Sequence, residues 1–171
     1  SLQSGLTRCY YQDQSFTVPV TVSNYSSGAI YCNFEASGYR LPTEGEWEYF
    51  CRAGTTGPFS VNEPNYNSET YDSCTPGLLS HLELAATFCG NDSGKTVPVA
   101  HKVPNAWGLF DVHGNVWEWC WDWWDSSLGG GTDYRGPESG TWKVIRGSEW
   151  GSPPRFCRSA YRYGNRRIKS T

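Results

Sequence analysis

The residues of this sequence that could carry chemistry are first of all its seven cysteines and three histidines. A pair of thiolates can bind copper(I), and clusters of cysteine and histidine bind zinc. The chain has no CxxC pair and no such cluster at zinc-finger spacing, and His81, His101 and His113 show no other ligand spacing. The cysteines are therefore predicted to form disulfides in an oxidising compartment, and the histidines to be ordinary loop residues.

Whole-chain composition favours one globular domain. The chain has 171 residues, of which 37% are hydrophobic and 18% charged, and no apolar run approaches the roughly 20 residues that a membrane helix needs. The net charge of −3 conceals nine Lys and Arg against two acids from Arg135 onward, which predicts a basic strand region packed against an acidic remainder. The alternative is an anion-attracting surface. A nucleic-acid groove is disfavoured because few aromatic residues accompany the basic ones, namely Phe156, Tyr161 and Tyr163.

Local patterns predict a short helix and two strands. Thr43 and Glu46 form a capping box, which predicts a helix over 44–51. Residues 55–107 are rich in Gly, Ser, Asn and Pro and are predicted to be long surface loops. Strands are predicted by period-two alternation in two stretches, VWEWCWDW (116–123) and WKVIRG (142–147).

Three longer blocks carry a resemblance to a known family. They are GYRLPTEGEWEYFCRAG (38–54), GKTVPVAHKVPNAWGLFDVHGNVWEWCWDWW (94–124) and VIRGSEWGSPPRFCRSAYR (144–162). In order and spacing they resemble the formylglycine-generating enzyme family, also called the sulfatase-modifying factor domain. The resemblance implies an α+β, C-type-lectin-like fold with short helices around twisted antiparallel strands and long irregular loops. It also implies a single domain over residues 1–171, without the family's usual N-terminal section and closing C-terminal strand.

The stretch GNVWEWCWDWW (114–124) holds five of the nine tryptophans. In the family that this sequence resembles the stretch is a structural strand, so its rings are predicted to fill the core in preference to forming an exposed platform. The same turn supplies oxygen ligands to calcium in relatives, which makes Asn115 and Glu118 candidates for a structural calcium site. The alternative for Glu118 is a salt bridge with an arginine of the C-terminal region. No other cofactor is predicted.

The resemblance also shows what the chain lacks. The enzymes of the family oxidise a cysteine of sulfatase precursors with a copper-binding pair of cysteines, which lies between a Gly-Gly-Ser and a Cys-Arg motif. Here the matching interval, 147–156, contains no cysteine and is shorter. Because copper(I) selects thiolate ligands, the chain is predicted not to be an enzyme.

Three disulfides are predicted. The first follows from the resemblance, which aligns two cysteines with a bridged pair, and the other two are suggested by positions along the chain. The predicted pairs are Cys51 with Cys157, Cys9 with Cys32, and Cys74 with Cys89, which leaves Cys120 as a free thiol in the core.

Without catalysis, the remaining use of such a fold is binding. In the non-enzymatic relatives called variable proteins of diversity-generating retroelements, dispersed positions after an Arg-Gly-Gly-Ser-Trp motif are randomised, while Trp, Cys-Arg and neighbouring Arg positions hold the fold. This chain reads RGSEW, GSPPRF, CRSAYR and YGNRR, so that scaffold positions alternate with mixed ones. The mixed positions include Tyr, Ser, Asn and Arg, which are residue types that suit an adaptable binding surface. The predicted ligand-binding positions are Glu149, Ser152, Pro153, Arg155, Phe156, Tyr161, Tyr163, Gly164 and Asn165.

The sequence therefore predicts a non-enzymatic protein that displays a variable C-terminal binding surface. Its ligand is expected to be a protein or glycan on another cell or host surface, and its location to be extracellular, on a cell surface or on a virion. One alternative is a fixed-specificity binding or structural module of the same family. The least favoured alternative is a formylglycine-generating oxidase. The sequence leaves the oligomeric state open.

Overall fold

The computed structural model describes residues 5–26 and 28–166, which fall into two compact units. The first unit contains the described residues up to Leu41, and the second extends from Pro42 to Arg166. In chain order the elements are strands β1 (Tyr10–Tyr11) and β2 (Tyr31–Cys32), helices α1 (Glu44–Arg52) and α2 (Ser80–Ala85), and strands β3 (Glu118–Trp123), β4 (Trp142–Arg146) and β5 (Tyr163–Arg166). Among the described residues, no helix is long and apolar enough to cross a membrane.

The first unit contains the antiparallel pair β1 and β2, in which Tyr10 lies opposite Cys32 and Tyr11 opposite Tyr31. Cys9 is buried, and its thiol is not bonded to Cys32. The predicted disulfide between these two cysteines is therefore wrong. Adjacent side chains along an extended chain point to opposite sides, and Tyr10 rather than Cys9 is the register partner of Cys32.

Helix α1 begins at the predicted capping box. The hydroxyl of Thr43 accepts a hydrogen bond from the backbone N–H of Glu46 (3.2 Å), and the carboxylate of Glu46 accepts one from the N–H of Thr43 (2.8 Å). At its other end, Ala53 adopts a left-handed conformation (φ 46°) that terminates the helix. Trp47 and Cys51 lie one turn apart on the buried side. The predicted helix is confirmed and is one residue longer than expected.

The second unit contains a three-stranded antiparallel sheet in the order β3-β4-β5. Strand β4 is central, and its Val144, Ile145 and Arg146 are buried. Both predicted strands are confirmed, and β5 is an additional strand that the short segment YGNR did not predict. A turn with Gly114 (φ 82°) and Asn115 (φ 66°) precedes β3, and a Cβ at Gly114 would lie 1.8 Å from the carbonyl oxygen of Thr87. This close approach requires glycine.

Most of the tryptophan-rich stretch faces away from the core. Side chains alternate along a strand, and the inward positions of β3 are taken by Cys120 (1% exposed) and Asp122 (2% exposed). Asp122 is buried because its carboxylate accepts a hydrogen bond from the N–H of Glu44 at the start of α1 (2.8 Å). Trp124 packs against the buried cluster between α1 and the sheet, whereas Trp119 is 39% exposed. The prediction that the five rings fill the core therefore holds for Trp124 and is wrong for Trp119, and the other three rings are only partly buried.

Residues 55–107 contribute to the core of the second unit as well as to its surface. They contain α2 and supply most of a buried cluster, whose members are Phe59, Leu79, Leu82, Ala86, Phe88 and Cys157. The prediction of long surface loops is corrected here, because Leu79, Leu82 and Ala86 show helical spacing over only two turns, too short a stretch to be recognised in a polar segment. The Cys74–Cys89 disulfide closes this segment and confirms the predicted pair. It indicates an oxidising compartment.

The predicted disulfide between Cys51 and Cys157 is absent, and both residues are buried thiols. They belong to different buried clusters, Cys51 to the one around Trp47 and Cys157 to the one around Phe59. The imidazole of His113 contacts both residues: its nitrogens lie 3.9 Å from the Cys51 sulfur, and its Nδ1 donates a hydrogen bond to the Cys157 carbonyl (2.7 Å). Cys120 is also a buried thiol, as predicted.

Candidate binding surface

A buried ionic layer fixes the frame that carries the predicted binding residues. Arg146 of β4 is fully buried; its guanidinium pairs with Glu48 of α1, and its Nε lies 3.6 Å from the carboxylate of Glu44. Arg162, directly before β5, forms a bidentate pair with the same Glu44, with N–O distances of 2.5 and 2.7 Å. Arg146 also donates a hydrogen bond to the backbone carbonyl of Tyr161. The acidic helix thus holds the basic C-terminal region, as the charge asymmetry predicted.

The loop between β4 and β5 alternates buried and accessible residues. Its buried members are Gly147, Ser148, Pro154, Cys157 and Ser159. Of the predicted binding positions in this loop, Glu149 is exposed, and five are partly buried, namely Ser152, Pro153, Arg155, Phe156 and Tyr161. A 3₁₀ turn over Pro154–Phe156 sets the direction of the Arg155 and Phe156 side chains. The loop is therefore anchored from within and presents side chains outward.

Arg155 connects this loop to the segment around Tyr71. Its backbone N–H donates a hydrogen bond to the carbonyl of Tyr71 (2.8 Å), and its guanidinium pairs with Asp72. The guanidinium also lies over the ring of Phe156, 4.4 Å from the centroid. These contacts orient an arginine and an aromatic ring together at the surface.

A row of four rings, Phe156, Tyr161, Trp117 and Tyr163, continues from this arginine, and we call it the aromatic strip. Phe156 and Tyr161 meet edge to face with centroids 4.9 Å apart. Trp117 lies 6.2 Å from Tyr161 and 5.7 Å from Tyr163. The structure therefore brings together three of the predicted binding residues, through a tryptophan that was not among them. Rings that are already in contact offer apolar area at little cost in side-chain entropy.

Tyr163 also lines a groove of about 460 Å³ on strands β4 and β5, together with Trp124, Trp142, Gly164 and Asn165. Trp142 is 47% exposed and Tyr163 50%, so both rings are open to a ligand. Gly164 was predicted as a binding position, but a Cβ there would lie 2.7 Å from the ring of Trp124. Its backbone can face the groove, whereas no side chain can vary at this position.

Replacing Gly164 by alanine is expected to lower the free energy of unfolding by about 1–3 kcal/mol, because the added methyl group displaces Trp124 from its packed position. Trp124 also lies under the guanidinium of Arg162, 4.7 Å from its ring centroid, so the displacement reaches the ionic layer. Urea unfolding followed by tryptophan fluorescence measures the effect. The matched control is Gly151→Ala, where a Cβ meets no atom within 4 Å. Equal stability of the two variants would contradict the packing argument.

In the structure, the two predicted calcium ligands already accept hydrogen bonds from other residues. The side-chain oxygen of Asn115 accepts a hydrogen bond from the N–H of Val97 (3.1 Å), and the carboxylate of Glu118 accepts one from the indole N–H of Trp47 (2.5 Å). Burial raises the pKa of Glu118, the Trp47 hydrogen bond opposes this, and the charge of Asp111 adds to it. Calcium needs six to eight oxygen ligands. The described residues contain no group of three or more His, Cys, Asp or Glu that could hold a metal. Among the described residues Glu118 forms no salt bridge with an arginine, and its carboxylate binds Trp47.

The thiols of the second unit are poorly suited to binding copper. Two of its five cysteines are bonded to each other, and the other three are buried. Burial raises the pKa of Cys51 and of Cys157 to about 12 and raises the pKa of Cys120 as well. Without a metal, burial keeps these sulfurs protonated at neutral pH, whereas the thiolate is the form that binds metal.

The histidines divide into two kinds. His81 and His101 are exposed, but only His101 lies in a loop as predicted, because His81 belongs to α2. His113 is fully buried, which corrects its prediction as an ordinary loop residue. The sequence also missed Trp117 and Trp142 as surface residues. The signal that could have identified them is the strand alternation itself, because it places Cys120 and Asp122 on the side opposite to most of the rings.

Comparison with known proteins gives three findings. The profile of a family described as the sulfatase-modifying factor enzyme 1-like domain matches residues 3–170. The formylglycine-generating enzymes of Thermomonospora curvata and Bos taurus are 33% and 34% identical to the chain, over 81% and 85% of its length. These alignments cover 46% and 37% of the two enzymes, so the chain spans less than half of their length.

Among solved structures, Treponema denticola variable protein 1 superimposes with a TM-score of 0.76 at 30% identity. The superposition covers 97% of this chain and 59% of that protein. The likeness, together with few helices and antiparallel sheets, confirms the predicted α+β, C-type-lectin-like fold.

Proposed function

The chain belongs to the sulfatase-modifying factor enzyme 1-like domain family, and on this basis we propose that it is a non-enzymatic protein that binds a ligand on its aromatic strip and on the loop before β5. The ligand is a protein or glycan on another cell or host surface. The protein acts outside the cell, on a cell surface or on a virion. The side chains that contact the ligand vary, while the residues beneath them hold the fold.

The observation that carries this proposal is the separation of accessible side chains from a buried frame. The aromatic strip and Arg155 contact one another at the surface. Beneath them, Arg146 and Arg162 bind Glu44 of α1, and these contacts do not use the accessible side chains. When a rigid frame does not depend on the surface side chains for its stability, the residues that contact a ligand can change without loss of folding.

Two further observations support a role without catalysis. The interval 147–156 contains no cysteine, and the thiols elsewhere in the second unit are bonded or buried with raised pKa values. The likeness to a variable protein extends over 97% of this chain and 59% of that protein, and the alignments with the two formylglycine-generating enzymes extend over 81% and 85% of this chain and 46% and 37% of the enzymes. An enzymatic role would need a copper-binding thiolate pair that the second unit does not supply.

A library randomised at four accessible positions, Glu149, Ser152, Tyr163 and Asn165, tests the proposal. Most members are expected to keep the free energy of unfolding within about 1 kcal/mol of the parent, since surface substitutions away from packed contacts cost little. Selection of the displayed library against unrelated proteins and glycans is expected to give binders with different specificities. The measurements are thermal unfolding of random members and binding of the selected ones.

The control library carries substitutions at Ser148, Pro154, Cys157 and Ser159, which are buried in the same loop. It is expected to lose folded protein, because these changes create cavities or clashes. If the surface library unfolds to the same extent, the proposed division between frame and surface is wrong. Copper(I) binding with oxidation of a cysteine-containing sulfatase peptide would instead establish an enzyme.

A further inference from the structure

A second groove, of about 390 Å³, lies between the segment 66–72 and the loop before β5. It is lined by Tyr66, Asn67, Ser68, Tyr71, Arg155 and Arg158, and we call it the arginine groove. Only Arg155 belongs to the predicted binding positions. The other lining residues come from the 55–107 segment and from the Cys-Arg motif that was interpreted as scaffold.

Hydrogen bonds within the segment hold one wall of the arginine groove in place. Thr70 donates a hydrogen bond from its hydroxyl to the carbonyl of Asn65 (2.6 Å) and accepts one from the N–H of Asn67 (2.9 Å). The side chain of Asn67 accepts a further hydrogen bond from the N–H of Glu69 (2.9 Å). The Cys74–Cys89 disulfide follows directly after this segment. The wall is therefore formed before a ligand arrives, which reduces the entropy lost on binding.

The two arginines of the groove differ in how their charges are balanced. Arg155 pairs with Asp72, an exposed contact that neutralises it and fixes its direction. Arg158 donates from Nε to the carbonyl of Arg155 (2.8 Å), a neutral acceptor. Within residues 5–26 and 28–166, Arg158 forms no salt bridge with a carboxylate. The groove thus carries one positive charge that no acidic residue balances.

The rings of both tyrosines contact other residues of the second unit. The ring of Tyr66 packs edge to face against Phe59, with centroids 4.9 Å apart. Burial raises the pKa of Tyr66 and the charge of Arg158 opposes this, as expected when the guanidinium lies near the hydroxyl. The ring of Tyr71 lies beneath the guanidinium of Arg155, 6.0 Å from its centroid. An anionic group in the groove would meet the guanidinium of Arg158 together with the tyrosines that line it.

We propose that the arginine groove binds an acidic side chain of a protein ligand, with Arg158 as the residue that pairs with its carboxylate. The inference rests on the proposed binding function and extends it, because it adds a charged subsite beside the aromatic strip. Arginine suits this role since its planar guanidinium donates two parallel hydrogen bonds to a carboxylate. Arg155, held by Asp72, shapes the groove without adding net charge.

Titration calorimetry of the full chain with an oligoglutamate peptide tests the inference, with oligoglutamine of the same length as the neutral control. Oligoglutamate is expected to bind and oligoglutamine not. Arg158→Gln is expected to weaken binding by about tenfold or more, as when a hydrogen bond to a charged group is lost. Arg52→Gln, which removes an arginine of α1 that does not line the groove, is expected to leave the affinity for oligoglutamate unchanged.

A second variant keeps the test decisive if Arg158→Gln does not fold. Asp72→Asn removes an exposed carboxylate and releases the charge of Arg155, so affinity for oligoglutamate is expected to rise by about threefold at low salt. Unchanged affinity in both variants overturns the inference. The inference is also overturned if oligogalacturonate binds in an Arg158-dependent way and oligoglutamate does not, because the ligand of the groove would then be an acidic glycan. Failure here leaves the surface library as a separate test of the proposed function.

Discussion

Arg146→Met is expected to lower the free energy of unfolding by about 3 kcal/mol, because buried Glu44 is left with Arg162 as its ionic partner and Glu48 loses its contact with Arg146. Arg146 is fully buried and Glu44 is 3% exposed, so water does not reach either group to replace the lost contact. The guanidinium also lies over the ring of Trp47, 5.1 Å from the centroid, and donates to the carbonyl of Tyr161. Methionine fills much of the volume but makes neither the ionic nor the hydrogen-bonding contacts. Equilibrium unfolding in urea measures the loss.

The matched control for this prediction is Arg52→Met, which removes the same charge next to the same Glu48. The Arg52–Glu48 pair joins residues one helical turn apart and is one-quarter exposed on both sides. Exposed pairs of this kind contribute about 0–1 kcal/mol, so the control is expected to change stability by less than that amount. Similar losses in the two variants would show that burial of Arg146 does not determine its contribution.

The stability of the fold is expected to fall by about 3 kcal/mol between pH 6.5 and pH 4 through His113 alone. Burial lowers the pKa of His113 to about 4, from an ordinary value near 6.5, and the Cys157 hydrogen bond only partly opposes this. Its Nε2 accepts a hydrogen bond from the N–H of Ser60 (2.9 Å), so a proton on this nitrogen would face another donor. Because the unfolded chain binds the proton more tightly, the stabilisation is complete above pH 6.5 and is lost as pH falls towards 4.

Unfolding measured across this pH range in the parent and in His113→Gln isolates the effect, since the variant lacks the titrating group and its stability should depend less on pH. His101→Gln, at an exposed position, is expected to keep the pH dependence of the parent. Glu118 acts in the opposite direction, because its pKa is raised and its contribution increases as pH falls. The comparison of variants removes this contribution. Parallel profiles for the parent and His113→Gln would show that the imidazole is not held neutral by burial.

The elements predicted correctly are those whose signals are local. The capping box of Thr43 and Glu46 acts within four residues, and the alternation in β3 and β4 follows directly from extended backbone geometry. The resemblance to the family was recognised from the residue types in three blocks of sequence. The Cys74–Cys89 pair was predicted correctly, and its cysteines are only 15 positions apart. The charge asymmetry predicted that the C-terminal region would contact acids, although not which ones.

The errors arose where a choice depended on what packs against a residue. Alternation in the tryptophan-rich stretch gave two sets of side chains and did not say which set faces inward. The buried set contains Cys120 and Asp122 because Asp122 binds the first N–H of α1, a contact across 78 positions. The thiols of Cys51 and Cys157 stay apart because each packs in its own cluster and His113 contacts both.

The sequence by itself determined the α+β class, the family, helix α1, and strands β3 and β4. Only the tertiary structure decided which rings reach the surface, that Gly164 cannot carry a side chain, and that Arg158 lies in a groove without an acidic partner. The physical reason is the distance along the chain over which each kind of interaction acts. Hydrogen bonds along the backbone depend on neighbours in the chain, whereas burial and charge pairing depend on contacts such as that between Glu44 and Arg162, which are 118 positions apart.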